Sequence, residues 1–185
     1  MSRQGKERAI DHFVVITGCS GGGKSVLLTA LAARGHQVVE EPGRRLMRAG
    51  RADPYRDLAS FARAAITMSL EDMREAEQHP GWVFFDRGLI DAAAALAFTT
   101  KIDLGETLRG RSRFHQTVFF APPWQEIFRP DDERQHSFPS AVDEALRLKA
   151  AYQALGYQLT ELPKTSVEAR ADWVLAQLGS PKLPG

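Results

Sequence analysis

The chain has 185 residues, 43% hydrophobic and 25% charged, with a formal net charge of +1 at pH 7. This length and composition are those of one globular domain with a sizeable core, and a near-neutral charge without long single-sign runs argues against general binding to nucleic-acid polymers or membranes. The only cysteine, Cys19, excludes an intramolecular disulfide and a cysteine metal cluster. The N-terminal residues lack a signal-peptide pattern, and no apolar run approaches the roughly 18 residues of a membrane span, so we expect a cytoplasmic protein.

Residues 18–25 read Gly-Cys-Ser-Gly-Gly-Gly-Lys-Ser and fit the pattern G-x-x-x-x-G-K-[ST] of a phosphate-binding loop. Glycines allow positive φ and close backbone approach, so several N–H groups can surround one anion. A helix beginning at Lys24 adds the positive end of its dipole, Lys24 adds a full charge, and the Ser25 hydroxyl is a ligand for Mg²⁺. The predicted nucleotide-binding residues are Gly18, Cys19, Ser20, Gly21, Gly22, Gly23, Lys24, Ser25 and Val26.

The flanks of this loop agree with the motif. Residues 13–17 are β-branched and aromatic and predict a buried strand, while residues 25–33 favour a helix that Gly35 ends. Strand, loop and helix follow one another as the motif requires, which disfavours the alternative of a glycine-rich turn that only joins two elements. The dinucleotide fingerprint G-x-G-x-x-G is absent here.

The second predicted strand, residues 37–41, ends in two carboxylates. Its last two residues, Glu40 and Glu41, would lie near bound phosphates, because ligands bind at the carboxyl ends of strands in an open α/β sheet. Alternate residues of a strand face opposite ways, so we expect one of the two glutamates to point into the site.

A third strand, residues 82–86, ends in Asp86 and has the Walker B pattern of an apolar run closed by a carboxylate. Asp86 is therefore a candidate ligand for Mg²⁺ or its water shell, although an aspartate that merely caps the next helix is the alternative. Arg87 directly after it offers a planar fork of donors for a phosphoryl group.

Two helical regions surround that strand. Residues 57–79 predict a long helix that forms one wall of an acceptor pocket, and residues 91–99 predict an alanine-rich helix. Residues 100–103, Thr-Lys-Ile-Asp, imitate the guanine-reading signature of GTPases. We disfavour that interpretation, since the signature belongs at a strand end and the preceding alanines favour a helix.

Residues 117–121 predict a fourth strand, after which residues 129–136 are highly charged around one proline. Such a segment cannot form a core, and we interpret residues 128–138 as a lid that delivers Arg129 and Arg134 to a transferring phosphoryl group. A surface charge run with internal ion pairs is the alternative.

The C-terminal part predicts a helix, a last strand and a final helix. The first of these helices has a core-facing stripe of Ala141, Ala145, Leu148, Tyr152 and Leu155. The last strand spans residues 157–162. We expect Trp173 of the final helix to pack into the core. Five strands alternating with helices predict a doubly wound parallel α/β sheet, with a domain at residues 12–179, a flexible N-terminus at 1–11 and a flexible tail at 180–185.

Four motifs carry a resemblance to a known family: residues 18–28, residues 40–46 (Glu-Glu-Pro-Gly-Arg-Arg-Leu), residues 84–88 (Phe-Phe-Asp-Arg-Gly) and the charged segment 129–136. Over residues 12–178 the chain resembles a bacterial family of AAA-type predicted ATPases that is similar to the ribosylnicotinamide kinase domain of bifunctional NAD regulators. The resemblance implies a three-layer P-loop NTPase fold with strand order 2-3-1-4-5, ATP with Mg²⁺, and a small-molecule phosphoryl acceptor.

The resemblance also implies roles for two residue pairs. Glu41-Pro42 sits where deoxynucleoside kinases carry a Glu-Pro pair whose glutamate is the base, and Asp86-Arg87 is similar to a pair that thymidylate and deoxynucleoside kinases place after the third strand. Whether Glu40 or Glu41 is the base stays open. Ring-forming AAA+ machines carry an additional helical domain, for which this chain is too short.

The expected activity is an ATP- and Mg²⁺-dependent phosphotransferase, a P-loop kinase, with a nucleoside or nucleotide as the favoured acceptor. The expected catalytic residues are Lys24, Glu41, Asp86, Arg87, Arg129 and Arg134, with Ser25 and Asp86 at the metal. The alternative is a P-loop ATPase that acts as a switch with a protein partner. A third hypothesis is a protein that senses ATP without turnover. Monomer and homodimer both remain open, and alkylation of Cys19 is expected to block ATP binding by crowding.

Overall fold

The computed structural model describes residues 12–111, 114–129 and 137–179. Their strands form a five-stranded parallel sheet in the order β2-β3-β1-β4-β5, which confirms the predicted fold and strand order. The strands are β1 (Phe13–Gly18), β2 (Gln37–Val39), β3 (Val83–Asp86), β4 (Thr117–Ala121) and β5 (Gln158–Glu161). The helices are α1 (Lys24–Ala33), α2 (Pro42–Arg48), α3 (Leu58–Ala76), α4 (Leu89–Thr100), α5 (Leu104–Leu108), α6 (Phe138–Ala154) and α7 (Val167–Leu178).

The register of the central strands brings the chemical groups to one edge of the sheet. Ile16 of β1 lies opposite Asp86 on one side and Phe119 on the other, so the strands β1, β3 and β4 end close together. All six residues of β1 are buried. Burial on both faces of a parallel sheet explains why these strands are unbroken apolar runs.

Helices cover both faces of the sheet, so the domain has three layers. Residues of α1 and α7, among them Leu27 and Val174, join one core cluster, and Trp173 packs there against Phe119 with ring centroids 5.8 Å apart. The other face is covered by α3, α4 and α6, with Met73, Ile90 and Tyr152 in its core. The predicted stripe of α6 is buried at Ala141, Ala145, Leu148 and Tyr152.

Several element boundaries differ from the sequence prediction by one to three residues. The strand β2 ends at Val39, because Pro42 begins α2 and its fixed φ suits the first turn of a helix, so that Glu41 is the N-cap residue. The helix α3 ends at Ala76 rather than at residue 79, and Pro80 disfavours helical geometry at His79.

The guanine-like tetrapeptide lies in a helix-to-helix connection. Thr100 is the last residue of α4, and the Asp103 carboxylate accepts a hydrogen bond from the Glu106 N–H at 2.9 Å as the N-cap of α5. Its carboxylate is thus used in a helix cap, which agrees with the sequence argument. Among the helices of the described residues, none has both the length and the apolar character of a membrane span.

Candidate active site

The phosphate loop requires glycine where it leaves β1. Gly18 has φ 111°, and a Cβ there would lie 2.4 Å from the Ala121 carbonyl oxygen of β4. The next residue, Cys19, donates its N–H to that same oxygen at 2.9 Å. The loop is therefore tied to the end of a neighbouring strand, and a side chain at residue 18 would break that tie.

The charged and hydroxyl side chains of the loop occupy different environments. Lys24 is buried, and its Nζ donates to the carbonyls of Cys19 at 2.8 Å and Gly18 at 3.4 Å. The ammonium therefore lies against the first two residues of the loop. Ser20 is buried at the edge of a neighbouring cavity, whereas Val26 is exposed. The Cys19 side chain is completely buried, so alkylation requires the loop to open, which the sequence alone does not reveal.

Ser25 and Asp86 form an oxygen pair beside the loop. The Ser25 hydroxyl donates to Asp86 Oδ2 at 3.2 Å, and Asp86 is the buried last residue of β3. One hydroxyl and one carboxylate fit Mg²⁺, which is bound by few protein ligands and completes its shell with water and substrate phosphates. Over the described residues there is no group of three or more His, Cys, Asp or Glu side chains that would form an all-protein metal cage.

A cavity of about 140 Å³ adjoins the loop at Ser20. Its charged side chains are Glu41, Arg87, Asp91 and Glu144. The helix α3 forms one wall, as predicted for residues 57–79, and the apolar lining comes from Pro42, Met47, Pro54, Leu58, Phe61, Ala62, Ala65, Ala92 and Ala95, with Tyr55 at the rim. The cavity therefore combines an apolar wall with a group of charged side chains.

The largely buried guanidinium of Arg87 contacts two of the carboxylates of this cavity. It donates to Glu144 through Nη1 at 2.7 Å and Nη2 at 3.1 Å, and its Nε lies 3.9 Å from Glu41 Oε1. Nη2 also donates to the Gly18 carbonyl at 3.3 Å, which links the cavity to the loop. Burial alone would lower the pKa of Arg87, but Glu144 and Glu41 outweigh it and raise the pKa well above its ordinary value.

The two candidate glutamates have different surroundings. Glu41 is 9% exposed, lines the cavity and has Arg44 Nε at 3.5 Å from Oε2. Glu40 is half exposed and pairs with Arg48 outside the cavity. The turn into α2, rather than strand alternation, separates them, because both residues lie beyond the end of β2.

Asp91 lies at the buried floor of the cavity. Its Oδ2 accepts from the Tyr152 hydroxyl at 2.6 Å and from the Gly88 N–H at 3.1 Å, and its Oδ1 accepts from the Thr17 hydroxyl. Burial raises the pKa of the Asp91 carboxyl above its ordinary value, against the lowering effect of Arg87 and these hydroxyl donors. This network ties β1, α4 and α6 together directly beneath the loop.

Among the described residues, no contact places a predicted lid arginine at the phosphate loop. Arg129 is exposed, and its Nη1 donates to the carbonyls of Glu126 at 3.2 Å and Phe128 at 2.8 Å within its own turn. Arg134 and most of the predicted lid, residues 130–136, lie outside the described residues. The roles of both arginines stay predictions.

Glu144 and Asp91 were missed by the sequence argument, although a signal for each exists. Glu144 lies three residues after Ala141 and four before Leu148, so it falls on the core-facing stripe of α6, where a carboxylate needs a partner. Asp91 is the only charged residue in the alanine-rich helix α4. Neither pattern identifies the partner, which depends on how the helices pack.

Comparison with known proteins agrees with this architecture. A family model described as AAA domain matches residues 13–170, while no curated protein matches the chain by sequence. A structure of deoxyadenosine kinase from M. mycoides with bound dATP superposes with a TM-score of 0.65 at 13% identity, covering 90% of this chain and 98% of that one. NadR protein in complex with NR gives a TM-score of 0.73 at 18% identity, covering 95% of this chain and 53% of that one.

Shikimate kinase from Acinetobacter baumannii in complex with shikimate gives a TM-score of 0.55 at 14% identity, covering 92% of this chain and 94% of that one. At these identities the structural likeness shows the fold. The family match covers most of the chain, including the phosphate loop, Glu41, Arg87 and Glu144. The chain therefore belongs to the AAA domain family, with the fold of the P-loop kinases.

Proposed function

We propose that the protein is an ATP- and Mg²⁺-dependent phosphotransferase whose acceptor is a small molecule with a free hydroxyl, a nucleoside in particular. The proposal rests on one observation, the contact between the phosphate loop and the neighbouring cavity. The cavity with the buried Glu41 carboxylate opens directly onto Ser20 of the phosphate loop. A pure nucleotide-binding module needs no such acceptor cavity beside its loop.

The donor side uses the loop and the oxygen pair. The loop N–H groups and Lys24 are proposed to hold the β- and γ-phosphates, in keeping with the positive end of α1. Ser25 and Asp86 are proposed to hold Mg²⁺, which would neutralise charge on the phosphates. The Arg129 and Arg134 side chains are proposed to add positive charge at the transferring group.

On the acceptor side, Glu41 is the proposed base. Its carboxylate takes the proton of the acceptor hydroxyl while that oxygen forms a bond to the γ-phosphorus and the bond from the β–γ bridging oxygen to that phosphorus breaks, releasing ADP. Arg87 contacts both Glu41 and Glu144, so we assign it first to holding these two carboxylates in place. Catalysis of this kind depends mostly on positioning and electrostatics.

The charge of the cavity favours a neutral acceptor over an anionic one. Its described lining has three carboxylates, Glu41, Asp91 and Glu144, against one guanidinium, that of Arg87. An acceptor that already carries a phosphate would meet like charge there, which disfavours nucleotides. The aromatic rings of Tyr55 and Phe61 in the lining suit the flat base of a nucleoside.

The test is ADP release from Mg·ATP, alone and with a panel of nucleosides, nucleoside monophosphates and nicotinamide riboside, with mass spectrometry of each acceptor. We expect one or more nucleosides to gain a single phosphate and the monophosphates to react more slowly. Glu41→Gln should lower kcat/KM at least a hundredfold while ATP still binds. Glu40→Gln, one residue away on the exposed side, is the matched control and should change kcat/KM less than twofold.

Steady ADP release that no acceptor accelerates, with no phosphorylated product, would replace the kinase by an ATPase switch. Equal activity in Glu41→Gln and the wild type would remove Glu41 as the base. Faster reaction with monophosphates than with nucleosides would overturn the charge argument and leave the kinase assignment intact.

A further inference from the structure

Arg170 of α7 lies directly behind the phosphate loop, although almost 150 residues of sequence separate them. Its side chain is only 2% exposed. Nη2 donates to the Gly22 carbonyl at 3.2 Å, and Nη1 donates to the Gly23 carbonyl at 3.4 Å. The guanidinium thus contacts the two peptide units that immediately precede Lys24.

These contacts agree with the direction in which the neighbouring N–H groups point, and the Gly23 carbonyl is also held by the Leu27 N–H of α1 at 3.3 Å. In a trans peptide unit the C=O and the following N–H point to opposite sides of the chain, and the described residues contain no cis peptide bond. With the carbonyls of Gly22 and Gly23 directed at Arg170, the N–H groups of Gly23 and Lys24 are directed away from it. An anion held by loop amides requires that orientation.

The arginine lies close against the loop at Gly23. Gly23 has φ 74°, and a Cβ there would lie 2.7 Å from Arg170 Nη1 and 3.2 Å from Ile127 Cδ1. The Trp124 ring lies on another side of the guanidinium, with its centroid 5.8 Å from the Arg170 Cζ. The arginine therefore occupies a closely fitted space between α7, the loop and the segment that follows β4.

The charge of Arg170 is not balanced by an ion pair within the described residues. Its Nε has no hydrogen-bond partner among them, and burial lowers its pKa with no carboxylate there to oppose the effect. A buried cation without a countercharge is costly. A phosphate group bound in the adjacent loop would provide that countercharge.

We propose that Arg170 is a positioning residue for the phosphate loop: it orients the N–H groups of Gly23 and Lys24, and bound polyphosphate balances its charge. The inference rests on the nucleotide site of the proposed function and adds a residue from the last helix to it. No sequence motif points to this residue.

Calorimetric titration with Mg·ADP and with inorganic tripolyphosphate tests the inference. Arg170→Met keeps the length of the side chain but removes the charge and the donors, and we expect it to weaken both ligands at least tenfold. Arg170→Lys keeps the charge and one donor, so it should lose about threefold. The matched control is Arg34→Met, because Arg34 also joins α1 to α7, through Asp172 at 2.9 Å and the Glu168 carbonyl at 3.1 Å; it should change affinity less than twofold.

Affinity in Arg170→Met equal to that of the wild type overturns the inference, as does a lysine variant no better than the methionine variant, since packing alone would then explain the loss. If circular dichroism shows that Arg170→Met does not fold, Arg170→Lys decides: a threefold loss with Arg34→Met unaffected supports the inference, and unchanged affinity overturns it. A wild-type protein that binds neither ligand would refute the nucleotide site itself, and the inference with it.

Discussion

The phosphate loop and the proposed acceptor cavity meet at Ser20 but are built in opposite ways. The loop is a run of eight consecutive residues in which the backbone provides most of the binding groups, with Gly18 and Gly23 at φ 111° and 74°. The cavity instead takes Glu41 from the start of α2, Arg87 from the end of β3 and Glu144 from α6. The loop is formed by residues that are adjacent in the sequence, whereas the cavity forms only when α2, β3 and α6 have packed together.

The two regions also differ in charge. The loop lies at the positive end of α1 and carries the Lys24 ammonium, whereas the described cavity lining has more carboxylates than cations. In the proposed function, this difference would attract a polyphosphate to the loop and favour a neutral acceptor in the cavity. This division of charge would keep the two substrates in their own compartments.

The largest effect is expected from adding a methyl group to the loop. In Gly18→Ala the new Cβ would meet backbone atoms of Ala121 at 2.4 and 2.7 Å, which cannot move without disturbing β4. We expect a loss of at least about 3 kcal/mol of unfolding free energy together with loss of ADP binding. Urea unfolding and ADP titration measure both.

Gly35→Ala is the control for backbone conformation alone. Gly35 also has positive φ, 87°, but a Cβ there would meet nothing within 4 Å. It should cost about 1 kcal/mol and leave ADP affinity unchanged. Similar losses in the two variants would mean that the close approach to β4 is unimportant.

A smaller effect, confined to acceptor use, is expected from the cavity. Glu144→Gln removes the charge and one of the two acceptor oxygens that hold the Arg87 guanidinium, so Arg87 is held less firmly beside Glu41. With the acceptor identified by mass spectrometry, kcat/KM should fall between ten- and a hundredfold, about 1.4–2.7 kcal/mol, while ADP affinity changes less than twofold. Asp143→Asn, on the adjacent exposed residue, should change neither quantity. A parallel loss of ADP affinity in Glu144→Gln would show that the loop and the cavity are not separable.

The contrast between the two regions explains how far the sequence could be interpreted. The five strands and the loop could be predicted, because apolar runs and a contiguous glycine motif are local signals, whereas the strand order followed from the resemblance to a known family. The choice between Glu40 and Glu41 could not, since it depends on the turn that Pro42 imposes at the start of α2. Arg170 could not be predicted either, because its only relevant contacts are with carbonyls distant in the sequence.

The smallest effect tests whether the ion pair of Arg45 with Asp72 or the packing of the Arg45 aliphatic stem stabilises the wall of the cavity. Arg45 and Arg48 both lie on α2, but Arg45 Nη1 pairs with the buried Asp72 of α3 at 2.6 Å, while Arg48 pairs with the half-exposed Glu40. Burial raises the pKa of Asp72 above its ordinary value, and Arg45 partly opposes this. Arg45→Met should cost about 1–2 kcal/mol at pH 7, a value reduced by the partial exposure of Arg45, and Arg48→Met about 0–0.5 kcal/mol.

The sign of the pH dependence separates the two explanations. Without Arg45 the folded-state pKa of Asp72 rises further above its unfolded value, so the penalty is present above the folded pKa, where the carboxylate is charged, and is lost as the pH falls below the unfolded value and Asp72 is protonated in both states. Urea unfolding at pH 7 and near pH 3.5 should therefore show the cost of Arg45→Met shrinking at the lower pH. If the cost is the same at both pH values, the contribution of Arg45 comes from packing of its aliphatic stem between α2 and α3, and the wall of the cavity is held without its buried ion pair.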